Sequence, residues 1–337
     1  MSTASSENAS LPEEGSLRGR FLQARSLLSF LLALGILVFF ASRLELDLSR
    51  IWGIMKGAHP GFFAAGFVVY YFTFPLRGER WRLLLENAGL SRRTGVPIPS
   101  ALRLGEMVYM SWFANCVIPA KLGDAYRGYQ LKRAAGVHFS TAMGTILAER
   151  LIDVVVLVLM LIGATFGLGG LGRTNDETTV RIFGGSLLLL AIGLVGLGLM
   201  WMLRGRLPTL LPHRFQAKYL LFQQGTFGSF QKLPIVLFLS LTIWLGEVGR
   251  LFLVVHSLGL ALSLPFIVFL ALASSLLTVV PFTPGGLGLA EAGITGLLLL
   301  GGVEKEVAVA TALLDRTISY WSIVAVGFLL FLARRKV

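Results

Sequence analysis

Acidic residues are scarce in this chain, and cysteine is scarcer. Among 337 residues there are 18 Asp or Glu against 30 Lys or Arg, with a single cysteine, Cys116. One cysteine excludes an intramolecular disulfide, and one cysteine with four scattered histidines excludes a zinc site of the Cys/His type. Charge of either sign is thin: 14% of residues are charged and 55% hydrophobic, with a mean hydropathy of +0.75. A soluble domain of this size would lack the charge to cover its surface. Uncharged runs long enough to cross about 30 Å of hydrocarbon recur from Arg25 onward. The composition therefore predicts an all-α polytopic membrane protein, with neither a metal cluster nor an ATP-binding motif, and no cofactor is expected.

The excess of base, +12 in net charge, suits the inner face of a membrane, where Lys and Arg concentrate and anionic lipids attract them. It does not suit a nucleic-acid partner, because the basic residues are spread over short loops rather than gathered on one soluble module. Residues 1–20 read as a disordered cytoplasmic tail. The apolar run 26–42 follows Arg18, Arg20 and Arg25 and ends without a small-x-small cleavage pattern, so it reads as a retained signal-anchor helix.

The chain repeats itself. GERWRLLL at 78–85 matches GEVGRLFL at 246–253, PAKLG at 119–123 matches PGGLG at 284–288, and ERLID at 149–153 loosely matches DRTIS at 315–319. The offsets are 168, 165 and 166 residues, and three matches in one order point to a duplication. The first transmembrane repeat is expected over 21–168, an outer loop over 169–180, and the second repeat over 181–337. Within the second, the amphipathic stretch 213–232 is expected to lie on the inner membrane surface. Each repeat holds three long apolar segments and one interrupted segment, 101–135 or 264–302.

Positive charge sets the orientation. The 77–103 segment carries Arg77, Arg80, Arg82, Arg92, Arg93 and Arg103, and the 120–140 segment carries Lys121, Arg127, Lys132 and Arg133. If both are cytoplasmic loops, the apolar run 104–119 cannot cross the membrane and must dip in and return. Each half then crosses three times, the halves are inverted repeats, and the second re-entrant broken-helix hairpin enters from outside. Both chain termini fall in the cytoplasm of a multi-pass cell (inner) membrane protein. Inverted repeats with broken helices meeting near the midplane are a recurring design of secondary transporters.

The hairpin turns contain Pro119 and Gly123 in one half, and Pro281, Pro284, Gly285, Gly286 and Gly288 in the other. Short helices starting near Asp124 and Gly288 would aim free N–H groups and positive dipole ends inward, where phosphate or carboxylate could sit; the plainer alternative is that Asp124 caps its helix with Arg127 as a surface partner. Glu291 is the only charge between Arg250 and Glu304, and a lone carboxylate in lipid is costly unless protonated, paired or hydrated. Glu149 and Asp153 share one helical face while Arg150 projects aside, and Asp315 with Arg316 lies at similar depth in the other half. These charges read either as a central cavity or as structural interhelical salt bridges. Of the i,i+3 pairs Glu79/Arg82 and Glu247/Arg250, the first reads as interfacial and the second, in an apolar helix, as cavity-lining. The histidines read as solvated.

At these motifs the sequence resembles the flippase-like family related to the transmembrane region of lysylphosphatidylglycerol synthases. The resemblance runs over about residues 25–333 and rests on Asn115…Pro119…Gly123-Asp124…Arg127, Glu149-Arg150…Asp153, Pro284-Gly-Gly-Leu-Gly288…Glu291 and Asp315-Arg316. Where the family often has arginine, this chain has Lys121. The resemblance implies an inner-membrane protein that handles lipid headgroups, with re-entrant segments around a central cavity. The bifunctional synthases carry a soluble aminoacyl-transfer domain; this chain ends four residues after Ala333, so lysyl transfer, and enzymatic activity generally, is not expected.

The leading expectation is a translocase for an anionic or phosphate-linked lipid. Its binding set would be Asn115, Lys121, Asp124, Arg127, Glu149, Arg150, Asp153, Arg250, Glu291, Asp315 and Arg316, with membrane lipids as partners and a homo-oligomer or an envelope enzyme as further ones. Three alternatives stand: a secondary transporter of small anions, a lipid-phosphate-dependent membrane glycosyltransferase using acids of the ELD stretch at 45–47, and a non-transporting envelope scaffold.

Overall fold

Backbone in hydrocarbon must satisfy its own hydrogen bonds, and helix is the way a single segment does so. The computed structural model describes Gly35 and residues 46–91, 94–118, 122–168, 177–206, 208, 211–279 and 283–334. Every regular element among these is helical. The expected tail and anchor helix, together with Pro119, Lys121 and Pro281, lie outside the described residues.

A short helix, α1 (Leu48–Lys56), is capped by Asp47, whose carboxylate accepts the N–H groups of Ser49 and Arg50 at 2.9 and 3.0 Å. There follow α2 (Pro60–Asn87), α3 (Ala101–Val117), α4 (Gly123–Ala135), α5 (Phe139–Gly167) and α6 (Glu177–Met202). The second half continues with α7 (His213–Gly228), α8 (Leu233–Ser257), α9 (Leu264–Val279), a 3-10 turn (Pro284–Gly286) and α10 (Leu289–Leu300). The last elements are α11 (Lys305–Arg316), a π-helical turn (Thr317–Trp321) and α12 (Ser322–Arg334). α6 begins at Glu177, inside the stretch 169–180 expected as an outer loop, and residues 169–176 lie outside the described residues.

Length separates the helices into two kinds. At 1.5 Å per residue, the 28-residue α2 and the 29-residue α5 are each more than about 40 Å long. The 17 residues of α3 and 13 of α4 span only about 26 and 20 Å. Two stretches, Leu233–Ser257 and Lys305–Ala333, are long and apolar enough to span on composition and length alone. Bare side chains such as Leu194, Val195 and Leu199 on α6, Phe238 and Leu245 on α8, and Phe328 and Leu329 on α12 are exposed. In water this surface would drive aggregation; against acyl chains it is solvated.

The central contact is α2 against α8, packed antiparallel. The N–H of His59, just before α2, donates to the Ser257 carbonyl at the end of α8 at 2.7 Å. At the opposite end the Asn87 amide donates to the Ser229 carbonyl at 3.2 Å and to that of Gln231, just before α8. That same end holds α7 against the start of α5, where a Cβ on Gly144 would stand 2.2 Å from the Phe222 carbonyl and one on Gly225 2.3 Å from that of Thr141. Small residues let backbones approach this closely. At the His59 end, α1 packs on α11 and Arg50 pairs with Glu304 at 2.6 Å.

Both interrupted segments break where expected. α3 ends at Val117 and α4 begins at Gly123, whose N–H is held by Asn115 Oδ1 at 2.8 Å. A Cβ on Gly123 would lie 2.0 Å from the Ser111 carbonyl, so only glycine lets the chain fold back on α3. In the second half Gly285, Gly286 and Gly288 have φ of 56°, 72° and 84°, the left-handed region that glycine enters without steric cost. The two breaks meet: Gly285 lies against Cys116 and Tyr320, and the Tyr320 hydroxyl donates to the Cys116 carbonyl at 3.0 Å.

Candidate functional site: a buried arginine–carboxylate network

The acidic residues singled out in the long helices are all paired, and the arginine at the hub is one that sequence reasoning had put in a loop. Arg80 lies inside α2, fully buried. It donates through Nη2 to Glu149 Oε1 at 2.8 Å, and through Nη1 to Asp153 Oδ1 at 2.5 Å and Ser240 Oγ at 2.8 Å. Glu149 and Asp153 do share a face of α5, and one guanidinium between them satisfies both. Glu149 is also held by Arg127 Nη1 at 3.0 Å, and Asp153 by Trp244 Nε1 at 3.3 Å. Arg127, from α4, stacks 4.7 Å from the Trp81 ring centroid. Arg150 turns the other way and grips Asp124 as a fork, Nη2 to Oδ1 at 2.9 Å and Nε to Oδ2 at 3.1 Å.

The second half builds the same arrangement from the residues that followed the repeat. Arg250 donates to Asp315 Oδ2 at 3.0 Å and lies 3.4 Å from Glu247. Arg316 Nε donates to Glu291 Oε1 at 2.9 Å, and its Nη2 to the Gly285 carbonyl at 2.9 Å. Glu149-Arg150 and Asp315-Arg316 thus do corresponding work. In each pair the acid takes an arginine from α2 or α8, and the arginine takes the acid near the start of the short helix. Arg77 of α2 links the halves, donating to Glu247 Oε1 at 2.6 Å and stacking 4.5 Å over Trp112. Immediately after Arg316 the helix widens into its π turn, and Ser319 Oγ donates to the Asp315 carbonyl at 3.0 Å. Such turns recur at functional sites.

Three expectations need correction. Arg77 and Arg80 are not loop residues but buried members of α2; their position next to the arginine-rich 82–103 stretch hid this. Asp124 does not cap α4, because the cap position is Leu122 and the Asp124 carboxylate is turned to Arg150. The helix starts are not left wholly open: Gly123 N–H is taken by Asn115 and Gly288 N–H by Glu291 Oε2 at 2.7 Å. Asn115 is therefore a clasp across the break. Asp47 of the ELD stretch is occupied as the cap of α1. Glu79/Arg82 is half-exposed and Glu247/Arg250 buried.

Six arginines (77, 80, 127, 150, 250, 316) and six acids (124, 149, 153, 247, 291, 315) make up this network. Equal numbers keep the interior near neutral, as the cost of burying unpaired charge requires. The network is not saturated: Arg80 Nε, Arg127 Nε and Nη2, and Arg250 Nε are buried with no acceptor. Buried donors of this kind are rare, and each is a place for water or a ligand oxygen.

The family model for the lysylphosphatidylglycerol synthase TM region matches residues 26–327. The chain belongs to this family. A UPF0104 membrane protein of Methanocaldococcus jannaschii is 34% identical over 220 residues, covering 65% of this chain and 93% of the relative. One from Pyrococcus horikoshii is 23% identical over 318 residues, 86% of this chain and 92% of the relative. Glycosyltransferase AglD of Haloferax volcanii is 25% identical over 325 residues, 85% of this chain and 51% of AglD. No solved structure matches the chain. Family membership and the apolar helices make this a membrane protein.

Proposed function

We propose that this member of the lysylphosphatidylglycerol synthase TM region family is a lipid translocase that passes an anionic or phosphate-linked headgroup through the arginine–carboxylate network. The observation that carries the reading is the set of buried guanidinium N–H groups on Arg80, Arg127 and Arg250 that no protein oxygen accepts. Phosphate oxygens match that donor geometry. In the empty state the six acids hold the arginines; an entering headgroup takes over some of those hydrogen bonds while its acyl chains stay in lipid. A groove of about 220 Å³ between α2, α3 and α12, lined by Tyr71, Phe74, Glu106, Tyr109, Val326 and Leu330, supports a sideways path for those chains. A small-anion transporter would have no use for one.

The architecture belongs to the same proposal: two inverted repeats, each with a re-entrant hairpin. Several contacts support it. The end of α2 and the start of α5 both pack near α7, so α3 and α4 between them go in and come back. The end of α8 and the start of α11 both lie at the His59 end, so α9 and α10 return to the opposite side. Arg103, Arg133, Arg204, Arg214 and Lys232 lie near the α7 end, which supports a cytoplasmic side for it. The last turns of α12 lie at that end too, where Leu330 lines a groove with Leu102 and Glu106.

AglD favours a second reading, a glycosyltransferase using a lipid-phosphate donor, since phosphate binding would serve both. The two separate in vesicles. Purified protein reconstituted with labelled phosphatidylglycerol should speed headgroup exposure on the far leaflet, and Arg150→Ala and Arg316→Ala should abolish most of that gain. Equal, protein-dependent rates in wild type and both variants would refute the proposal. Sugar transfer from a lipid-phosphate donor without headgroup movement would replace it with the second reading.

A further inference from the structure

Away from the central network, the end of α6 meets α7 around a surface cavity of about 390 Å³ lined by Trp201, Arg204, Leu220, Gln223, Gln224 and Phe227. Gln223 fixes the junction, donating to the Met200 carbonyl at 3.3 Å. Arg204 lies 5.5 Å from the Trp201 ring centroid, and among the described residues no carboxylate pairs with it. The sequence explains why: no Asp or Glu stands between Glu177 and Glu247, while Arg204, Arg206, Arg214, Lys218 and Lys232 all fall in that interval. A stretch with five basic residues and no acid of its own is suited to an interface with acidic headgroups.

The apolar half of the cavity completes the match. Trp201 is 56% exposed beside the arginine, an amphipathic ring of the kind that collects at membrane–water interfaces. From the cavity, Leu197 and Leu194 run back along α6 four and seven residues before Trp201, on the same helical face, and Leu194 is exposed. A charged and amide-bearing mouth thus leads onto an apolar stripe. We propose that this junction is a binding site for an anionic phospholipid, its phosphate on Arg204 and the Gln224 amide and its acyl chains along Leu197 and Leu194. The site is separate from the six-arginine network and rests only on the chain being a membrane protein. Its occupant is a resident lipid that ties α6 to α7.

Native mass spectrometry of the full chain in detergent, titrated with phosphatidylglycerol or phosphatidylcholine, tests it. Wild type should retain phosphatidylglycerol preferentially. Arg204→Gln should weaken that retention about fivefold, the effect of one basic residue near a headgroup, and leave phosphatidylcholine unchanged. Arg204→Lys should keep most of it, and Gln224→Leu, which leaves the charge in place, should weaken it by a smaller factor. Arg133→Gln, which removes an equal charge elsewhere on this end, should have no effect. Retention unchanged in both Arg204→Gln and Gln224→Leu would overturn the site. So would an equal loss in Arg133→Gln, which marks general attraction, or full competition by glycerol phosphate, which marks a site for a soluble anion.

Discussion

Removing the hub of the first-half network gives the most informative perturbation. In Arg80→Gln the side chain that satisfies Glu149, Asp153 and Ser240 is lost from a fully buried position. Glu149 keeps Arg127 at 3.0 Å, but Asp153 keeps only the Trp244 indole N–H at 3.3 Å. One carboxylate is then buried with a single neutral donor, and breaking a buried pair in this way costs about 3–5 kcal/mol. Asp153→Asn removes the surplus charge, so the double variant Arg80→Gln/Asp153→Asn should recover part of the loss, with a coupling energy of about 1–3 kcal/mol. Unfolding of the four proteins in mild detergent, followed by Trp fluorescence, measures the cycle. Additivity within about 0.5 kcal/mol, or an Arg80→Gln variant as stable as wild type, would refute the claim that these three side chains form one unit.

The glycine at the first break should be far less tolerant than one on an open helix face. Gly123→Ala places a methyl 2.0 Å from the Ser111 carbonyl and should cost at least about 1–3 kcal/mol, whereas Gly163→Ala meets nothing within 4 Å and should be neutral or stabilising by thermal unfolding. Arg77→Gln should destabilise chiefly the contact between the halves, seen as faster proteolysis at the junction 203–212 than in Arg82→Gln, whose pair is half-exposed. Asp47 is held below the usual carboxylate range, first by the Ser49 hydroxyl and then by the Arg50 N–H. Its cap is therefore present above a pH of about 4 and lost as pH falls through the lowered value. Hydrogen exchange at Ile51 should accelerate in acid, and Asp47→Asn should flatten that dependence.

Much of the architecture was legible because lipid leaves a chain few options. Pro and Gly inside apolar runs marked both breaks. The short α1 went unread although Asp47 with Ser49 two residues on is a cap signature. The network was legible in part. Repeat offsets paired Glu149-Arg150 with Asp315-Arg316, and the structure gives them corresponding partners, Arg80 and Asp124 in one half, Arg250 and Glu291 in the other. Arg77 and Arg80 were missed because six arginines follow one another from 77 to 103, and only three-dimensional packing separates the two that turn inward. Their carboxylate acceptors lie 69 to 170 residues away, beyond any local pattern. The N–H groups of Gly123 and Gly288 looked free because the acceptors, Asn115 and Glu291, are brought back by the turn itself.

Single-cysteine labelling in a Cys116→Ser background addresses the two-hairpin arrangement most directly, with an impermeant maleimide applied to intact cells and to inverted vesicles. Cysteine at Arg133 should react only from the cytoplasmic side, and cysteine at Gly302 only from outside. Reaction of both from one side would mean that α3–α4 or α9–α10 traverses the bilayer. The opposed hairpins, and the headgroup route built on them, would then be wrong.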